Sequence, residues 1–253
     1  MTTTTQAEAS ITVVPQTEEF DPRPMRTERR IADFFIKDCR FVALHDGKLQ
    51  KLMREVLDEI DFQHLRDSNP CPVFTDRAAM HSHLHDTVIG NQPVDYLEFG
   101  VFEGESIRHW SNINSATQSR FFGFDSFEGL PEKWKDGEGK GAFYLAGATP
   151  KIDDTRVEWV KGWFENTVPQ FACAFTPQNR LILHLDADLY SSTMIALMHF
   201  TRFMQSGTLL LFDELYDRDH EFKALVDWQQ ISKKSFRALA QMENYSKTCF
   251  ELL

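Results

Sequence analysis

The apolar positions of this chain change rhythm at Val94. Before it they recur at three- and four-residue steps, and Leu49, Leu52, Met53, Val56, Leu57 and Ile60 share one helical face. The break Ser68-Asn69-Pro70-Cys71-Pro72 ends that helix, and Thr75 is placed to cap another running from Asp76 to about His85. After Val94, short apolar runs alternate with helical segments. This predicts strands at 94–99, 120–124, 157–161, 181–185 and 208–212, the order of a parallel sheet covered on both faces. Two more runs, 236–242 and 247–252, are separated only by Glu243-Asn244-Tyr245-Ser246. That link is too short for a helical crossover, so these two should pair antiparallel. The expected fold is α/β: a doubly wound, mostly parallel seven-stranded sheet with an antiparallel C-terminal strand, Rossmann-like, plus N-terminal helices.

The same pattern divides the chain. Residues 1–25 are polar, rich in Thr and Glu and broken by Pro15, Pro22 and Pro24, a composition that reads as a disordered tail. Residues 26–93 read as a helical extension and 94–253 as one domain of catalytic size. With 253 residues and 42% hydrophobic content the chain can bury a full core. A net charge of -11 with no basic stripe argues against nucleic acid as a partner. Cys39, Cys71, Cys173 and Cys249 form no Cys-x-x-Cys pair, which suggests reduced thiols and a cytoplasmic setting. Neither a secretory leader nor a membrane-length apolar run is apparent, so no membrane partner is expected. A homo-oligomer is compatible with these features.

Chemistry concentrates where the expected strands end. The first runs into Glu98-Phe99-Gly100-Val101-Phe102-Glu103-Gly104, whose glycines allow close backbone approach to a ligand, and a helix starting near Glu105 and Ser106 offers free N–H groups. An adenosine-type cofactor is the expected ligand, against the alternative of a tight turn that binds nothing. The second strand delivers Asp125-Ser126, with Asp125 expected on ribose hydroxyls or, alternatively, holding its own loop. The third delivers Gly162-Trp163-Phe164, where an aromatic ring suits a purine face, although Phe164 reads equally well as core.

The fourth and fifth strands deliver Asp186-Ala187-Asp188 and Asp213-Glu214. Four carboxylates at one edge repel unless protonated, hydrogen-bonded or bridged by a cation, and an all-oxygen set favours Mg²⁺. Asp188 also reads as a helix cap. Three histidines, His81, His83 and His85, read as surface residues, since only the first and last share a helix face. His184 reads as a hydrogen-bonded core residue, and His220 as a base within reach of a substrate.

The runs Leu97-Glu98-Phe99-Gly100-Val101, Phe124-Asp125-Ser126-Phe127-Glu128-Gly129-Leu130-Pro131, Gly162-Trp163-Phe164, Leu185-Asp186-Ala187-Asp188-Leu189-Tyr190-Ser191-Ser192-Thr193 and Phe212-Asp213-Glu214 occur in that order. Together they resemble the macrocin and mycinamicin O-methyltransferase family of class I S-adenosylmethionine-dependent methyltransferases. The resemblance implies S-adenosylmethionine as cofactor, held by Glu98, Gly100, Gly104, Ser106, Asp125, Ser126, Gly162, Trp163 and Asp186. It implies a Mg²⁺ ion on Asp186, Asp213 and Glu214, with Asp186 and His220 as candidate catalytic groups. The acceptor would be a hydroxyl, often on a sugar of a secondary metabolite. One departure stands out: Glu214 occupies a position where the family usually has Asp, and the added methylene disturbs a near-octahedral Mg²⁺ shell. Two other functions stay open on the sequence: a nucleotide-dependent oxidoreductase on a similar sheet, and a non-catalytic protein that binds S-adenosylmethionine.

Overall fold

The structure is a computed structural model and describes residues 71–253 apart from 136, 216, 218 and 243–245. The expected tail and the helix carrying Leu49 to Ile60 lie outside the described residues. Eight strands form one sheet: β1 (Val73–Phe74), β2 (Val94–Phe99), β3 (Arg120–Asp125), β4 (Val157–Lys161), β5 (Arg180–Leu185), β6 (Leu209–Phe212), β7 (Phe236–Met242) and β8 (Thr248–Leu252). Their order is β1-β7-β8-β6-β5-β2-β3-β4. All pairs are parallel except those of β8, which runs antiparallel to both β6 and β7. Seven strands lie where the apolar runs place them. The eighth, β1, is a two-residue edge strand beside β7, too short to leave a period-two signature.

Among the described residues, five α-helices cover the sheet: α1 (Arg77–Leu84), α2 (Glu105–Ile113), α3 (Phe164–Ala174), α4 (Tyr190–Phe200) and α5 (Glu221–Ser232). The cap of α1 is Asp76 rather than Thr75, since its Oδ1 accepts from Ala79 N at 2.7 Å. This is the capping geometry expected of a short side-chain oxygen, moved one residue along. The helix ends in a π-turn, His85–Ile89.

Alternation along the strands gives the sheet two apolar faces. Leu97, Phe99, Phe122, Phe124, Leu183, Leu185, Leu210 and Phe212 face α3, α4 and α5. Tyr96, Phe121, Ile182, Leu209 and Leu211 face the other way, with Met80 and Leu84 of α1 and Trp110 of α2. Segment 73–90, expected within an extension, therefore contributes to this core.

At the amino edge, buried Asp95 closes the sheet. It accepts from Arg120 Nε and Nη2 at 2.9 and 2.7 Å, from Gln178 N at 2.7 Å, and from Asn179 N and Nδ2 at 3.1 and 2.9 Å. The opposite, carboxyl edge is where the register aligns the acidic residues. Phe99 pairs with Leu185 and Leu185 with Phe212, so Gly100, Asp186 and Asp213 follow one another across three adjacent strands.

Candidate functional site

A cleft of about 460 Å³ opens along that carboxyl edge. Its wall includes Glu98, Gly100, Ser106, Asp125, Ser126, Gly162, Trp163, Asp186, Asp213 and Glu214, so the structure gathers most of the residues singled out from the sequence. Gly104 is not among them. It caps α2 at φ 75°, and a β-carbon there would face Pro150. Its requirement is conformational.

The loop after β2 is fastened from both sides. At Gly100, with φ 89°, a β-carbon would lie 1.6 Å from the carbonyl oxygen of Asp186, so only glycine lets the loop pass the end of β5. On the other side, Asp125 Oδ2 accepts from Val101 N and Phe102 N at 2.8 and 2.9 Å, and its Oδ1 from Phe127 N at 2.7 Å. A carboxylate has about four acceptor sites. Three are used on backbone amides, so Asp125 first holds two loops in place and keeps limited capacity for a ligand. Ser106 Oγ, buried in the cleft wall, makes no hydrogen bond. An orphaned hydroxyl in a cleft wall fits a polar ligand. The loop glycines, Asp125, the orphan hydroxyl and the Trp163 ring are suited to the amino, carboxylate, ribose and purine groups of S-adenosylmethionine.

Segment 126–156 folds across the cleft mouth. Leu130 and Trp134 pack on Leu189, and Trp134 Nε1 donates to Asp217 Oδ2 at 2.7 Å, pinning this segment to the β6–α5 connection. Phe102 and Phe143 meet edge to face at the rim, 39% and 40% exposed. A hydrogen bond therefore ties this segment down beside the cleft.

Beneath the loop lies a polar chain in which His184 is, as expected, a hydrogen-bonded core residue, while its link through Tyr96 to Glu98 was not anticipated. Tyr96 Oη donates to Glu98 Oε2 at 2.5 Å and lies 2.6 Å from His184 Nδ1, which donates to it. His184 Nε2 faces Asp213 Oδ1 at 3.8 Å. Burial works against charge on His184, but the carboxylates of Asp213 and Glu98 outweigh it and raise the imidazole to about 9. Burial and the neighbouring Asp213 push Asp186 well above the usual carboxylate range. Asp213 is held below that range despite burial, because His184 and Lys247 favour its charge. Of the pair, Asp186 is thus the one that takes up a proton. Asp188, left-handed at φ 57°, is raised to about 8 by burial and by Glu214.

Two further residues belong to the site. Arg77, the first residue of α1, places Nη1 3.6 Å from Asp186 Oδ2 and 3.7 Å from Asp213 Oδ1. Glu221, fully buried at the start of α5, accepts from Ala187 N at 3.2 Å and Glu214 N at 2.9 Å, one oxygen for each acidic loop. Both act across long sequence gaps, and only an acid in a first helical turn hinted at Glu221.

The histidines need correction. His81 is buried, 1% exposed, among His109, Trp110 and His184, where the sequence pattern placed it on the surface. Its face of α1 turns toward the core. His220 lies outside the cleft wall, and its Nδ1 accepts from Tyr190 N at 3.2 Å at the start of α4. The structure thus gives it a contact at the start of α4 and does not bring it into the cleft wall with the other site residues.

The expected metal set is not assembled among the described residues. The acidic and imidazole atoms that converge within 4.8 Å belong to His184, Asp186 and Asp213, without Glu214. Asp213 Oδ1 is buried and lacks a hydrogen bond, a feature that would suit an ion. Its charge is nevertheless met by Arg77, while Lys247 Nζ lies 2.5 Å from Oδ2. A hard divalent ion needs these oxygens free, so the residues present do not fit Mg²⁺.

The fold is Rossmann-like and is shared with solved O-methyltransferases. The O-methyltransferase NovP superposes with a TM-score of 0.53 at 20% identity, covering 69% of this chain and 78% of that one. CalS11, a calicheamicin methyltransferase, gives 0.55 at 20%, covering 82% and 94%. Residues 148–243 match the family model described as macrocin-O-methyltransferase (TylF), which covers less than half of the chain. It is 29% identical over 143 residues to the 8-demethyl-8-(2,3-dimethoxy-alpha-L-rhamnosyl)-tetracenomycin-C 4'-O-methyltransferase of Streptomyces olivaceus, covering 48% of this chain and 53% of the relative. It is 26% identical over 152 residues to the demethyldecarbamoylnovobiocin O-methyltransferase of Streptomyces niveus, covering 52% and 56%. The chain thus spans about half the length of the curated relatives it matches. Among the described residues, no helix is long and apolar enough to cross a membrane.

Proposed function

We propose that this protein transfers a methyl group from S-adenosylmethionine to a hydroxyl of a small molecule, most fittingly a sugar hydroxyl on a secondary-metabolite-like acceptor. The observation that carries the proposal is the apposition of Gly100 and Asp186, which sets a titratable carboxylate beside a loop suited to the cofactor. The names of the two curated relatives, a rhamnosyl-tetracenomycin and a novobiocin methyltransferase, support the acceptor class. The family match favours this reading over an oxidoreductase or a non-catalytic binding protein.

In this reading the cofactor supplies an electrophilic methyl group on a sulfonium. Glu98, Gly100, Ser106, Asp125, Ser126, Gly162 and Trp163 line its place, and Gly104 sets the loop that carries them. The latched segment 126–156 excludes water and orients the acceptor, and Asp186 receives the hydroxyl proton. The Mg²⁺ implied by the resemblance is not carried into this proposal, because Asp186 and Asp213 are already matched by protein cations.

In the same reading the catalytic unit of 94–253 extends back to include β1, α1 and Arg77, and a cytoplasmic setting suits the thiols of Cys173 and Cys249. Calorimetric titration with S-adenosylmethionine and its demethylated product tests the cofactor. Label transfer from the methyl-tritiated cofactor to a panel of deoxysugar glycosides tests the reaction. Absence of both binding and transfer overturns the proposal, and selective NAD binding would replace it with the oxidoreductase.

A further inference from the structure

We propose that Arg77 is the resident cation of this site: its guanidinium, in place of a divalent metal ion, bridges Asp186 and Asp213 and stabilises the charge that develops on the acceptor oxygen. The inference rests on the proposed O-methyl transfer and names what activates the hydroxyl.

Geometry carries it. Asp186 and Asp213 end two adjacent parallel strands, and the bond from Asp213 N to Leu185 O at 2.9 Å fixes their spacing. Two carboxylates held side by side repel unless one is protonated or a cation lies between them, and here a cation is in place. Arg77 Nη1 lies 3.6 Å from one and 3.7 Å from the other, in a bridging position. Its Nη2 donates to Glu105 Oε2 at 3.0 Å, so acidic partners on α2 and just after β5 and β6 orient one planar group. The helix behind it is fixed by the Asp76 cap and by buried Met80 and Leu84.

Lys247 covers the other oxygen of Asp213, which completes the compensation from within the chain. A divalent ion entering here would meet Arg77 and Lys247 at close range and be repelled. The Arg77 side chain is 29% exposed and lines the cleft, so donors not used on carboxylates can reach an acceptor oxygen.

The step balances without a metal. The acceptor hydroxyl gives its proton to Asp186 and its oxygen forms a bond to the methyl carbon. The carbon–sulfur bond breaks with its electron pair remaining on sulfur. Arg77 N–H groups donate to the oxygen while its charge is greatest, the role a Lewis acid would otherwise fill.

The test is a Mn²⁺ titration of the full chain followed by paramagnetic resonance, alongside activity after exhaustive EDTA treatment. The wild type should show no saturable Mn²⁺ site, and chelation should leave its turnover unchanged. Arg77→Ala frees Asp186 Oδ2 and Asp213 Oδ1, Lys247 remaining on Asp213 Oδ2, and should gain a saturable site at least about tenfold tighter than any residual Mn²⁺ binding to the wild type. Adding Asp213→Asn to that variant should remove the site. In the same variant kcat should fall about 100-fold while cofactor affinity is retained, and millimolar guanidinium should restore part of the loss.

Arg77→Lys keeps a charge but loses the planar fork, so it should stay Mn²⁺-free and slow. A saturable Mn²⁺ site on the wild type that Asp213→Asn abolishes, or turnover lost to EDTA and restored by Mg²⁺, overturns the inference. The metal titration needs neither cofactor nor acceptor. It therefore decides the role of Arg77 even if S-adenosylmethionine fails to bind, the result that would instead overturn the proposed function.

Discussion

A β-carbon added to Gly100 would lie 1.6 Å from the carbonyl oxygen of Asp186, closer than any non-bonded contact allows. The cofactor-side loop and the carboxylate proposed as base are thus held in one geometry by the absence of a side chain. Gly100→Ala must push the loop away from β5 and also place alanine at φ 89°. The backbone strain alone costs about 1–3 kcal/mol. We expect a lower melting temperature and loss of cofactor binding, read by thermal denaturation and calorimetry. Unchanged affinity would separate the loop from the site.

Glu221 yields a second prediction. It serves Ala187 N and Glu214 N from inside the fold, so Glu221→Ala removes the acceptor that each of these N–H groups uses. Each such loss costs about 1–3 kcal/mol. Glu221→Gln keeps one acceptor oxygen and should be the milder change. Urea unfolding should rank wild type above Gln and Gln above Ala, with turnover following the same order because both acidic loops move.

His184 gives a prediction in pH. Its folded value of about 9 lies above the ordinary histidine value of 6.5, so the imidazolium favours the folded state. That contribution, on the order of 3 kcal/mol from the difference, is complete below pH 6.5 and is lost as pH rises through 9. The histidine Cε1 proton resonance should titrate near 9. His184→Gln should unfold more easily than wild type at pH 6.5, with the gap closing by pH 10. A resonance titrating near 6.5 would contradict the ion pairing with Asp213.

These residues also mark what the sequence made legible. Strands β2 to β8 declare themselves through apolar runs, and Asp186 and Asp213 through their place at strand ends. Local pattern suffices there because strands covered on both faces are mostly apolar, even where β2 carries Asp95 and Glu98. Arg77 and Glu221 were hidden because their meaning depends on partners far along the chain. Arg77 is 109 residues before Asp186 (186 minus 77), and nothing local marks an arginine at a helix start as a bridge. His81 failed for the same reason, its partners Trp110 and His184 lying on other elements. At Asp125 the sequence placed the carboxylate in the cleft, but only coordinates reveal three backbone amides bound to it.

The last prediction separates stability from chemistry. Asp95 is fully buried at the amino edge of the sheet, opposite the cleft, and gathers Arg120, Gln178 and Asn179. Burial alone would raise its pKa, but Arg120 and the two backbone amides outweigh it and lower the carboxyl below its ordinary value of 3.8. The ionised form therefore stabilises the fold above pH 3.8, and that contribution disappears as pH falls through the lowered value. Breaking such a pair from one side costs about 3–5 kcal/mol, part of it leaving Arg120 to its remaining acceptor, Thr176 O at 3.0 Å. Asp95→Asn should accordingly be much less stable than wild type from pH 5 to 8, with the two converging below pH 4. The carboxyl edge does not touch this cluster, so the folded fraction of the variant should keep its kcat. Loss of kcat in fully folded protein would mean that strain at the amino edge reaches Glu98 along β2, which the continuous register from Asp95 to Phe99 gives no reason to expect.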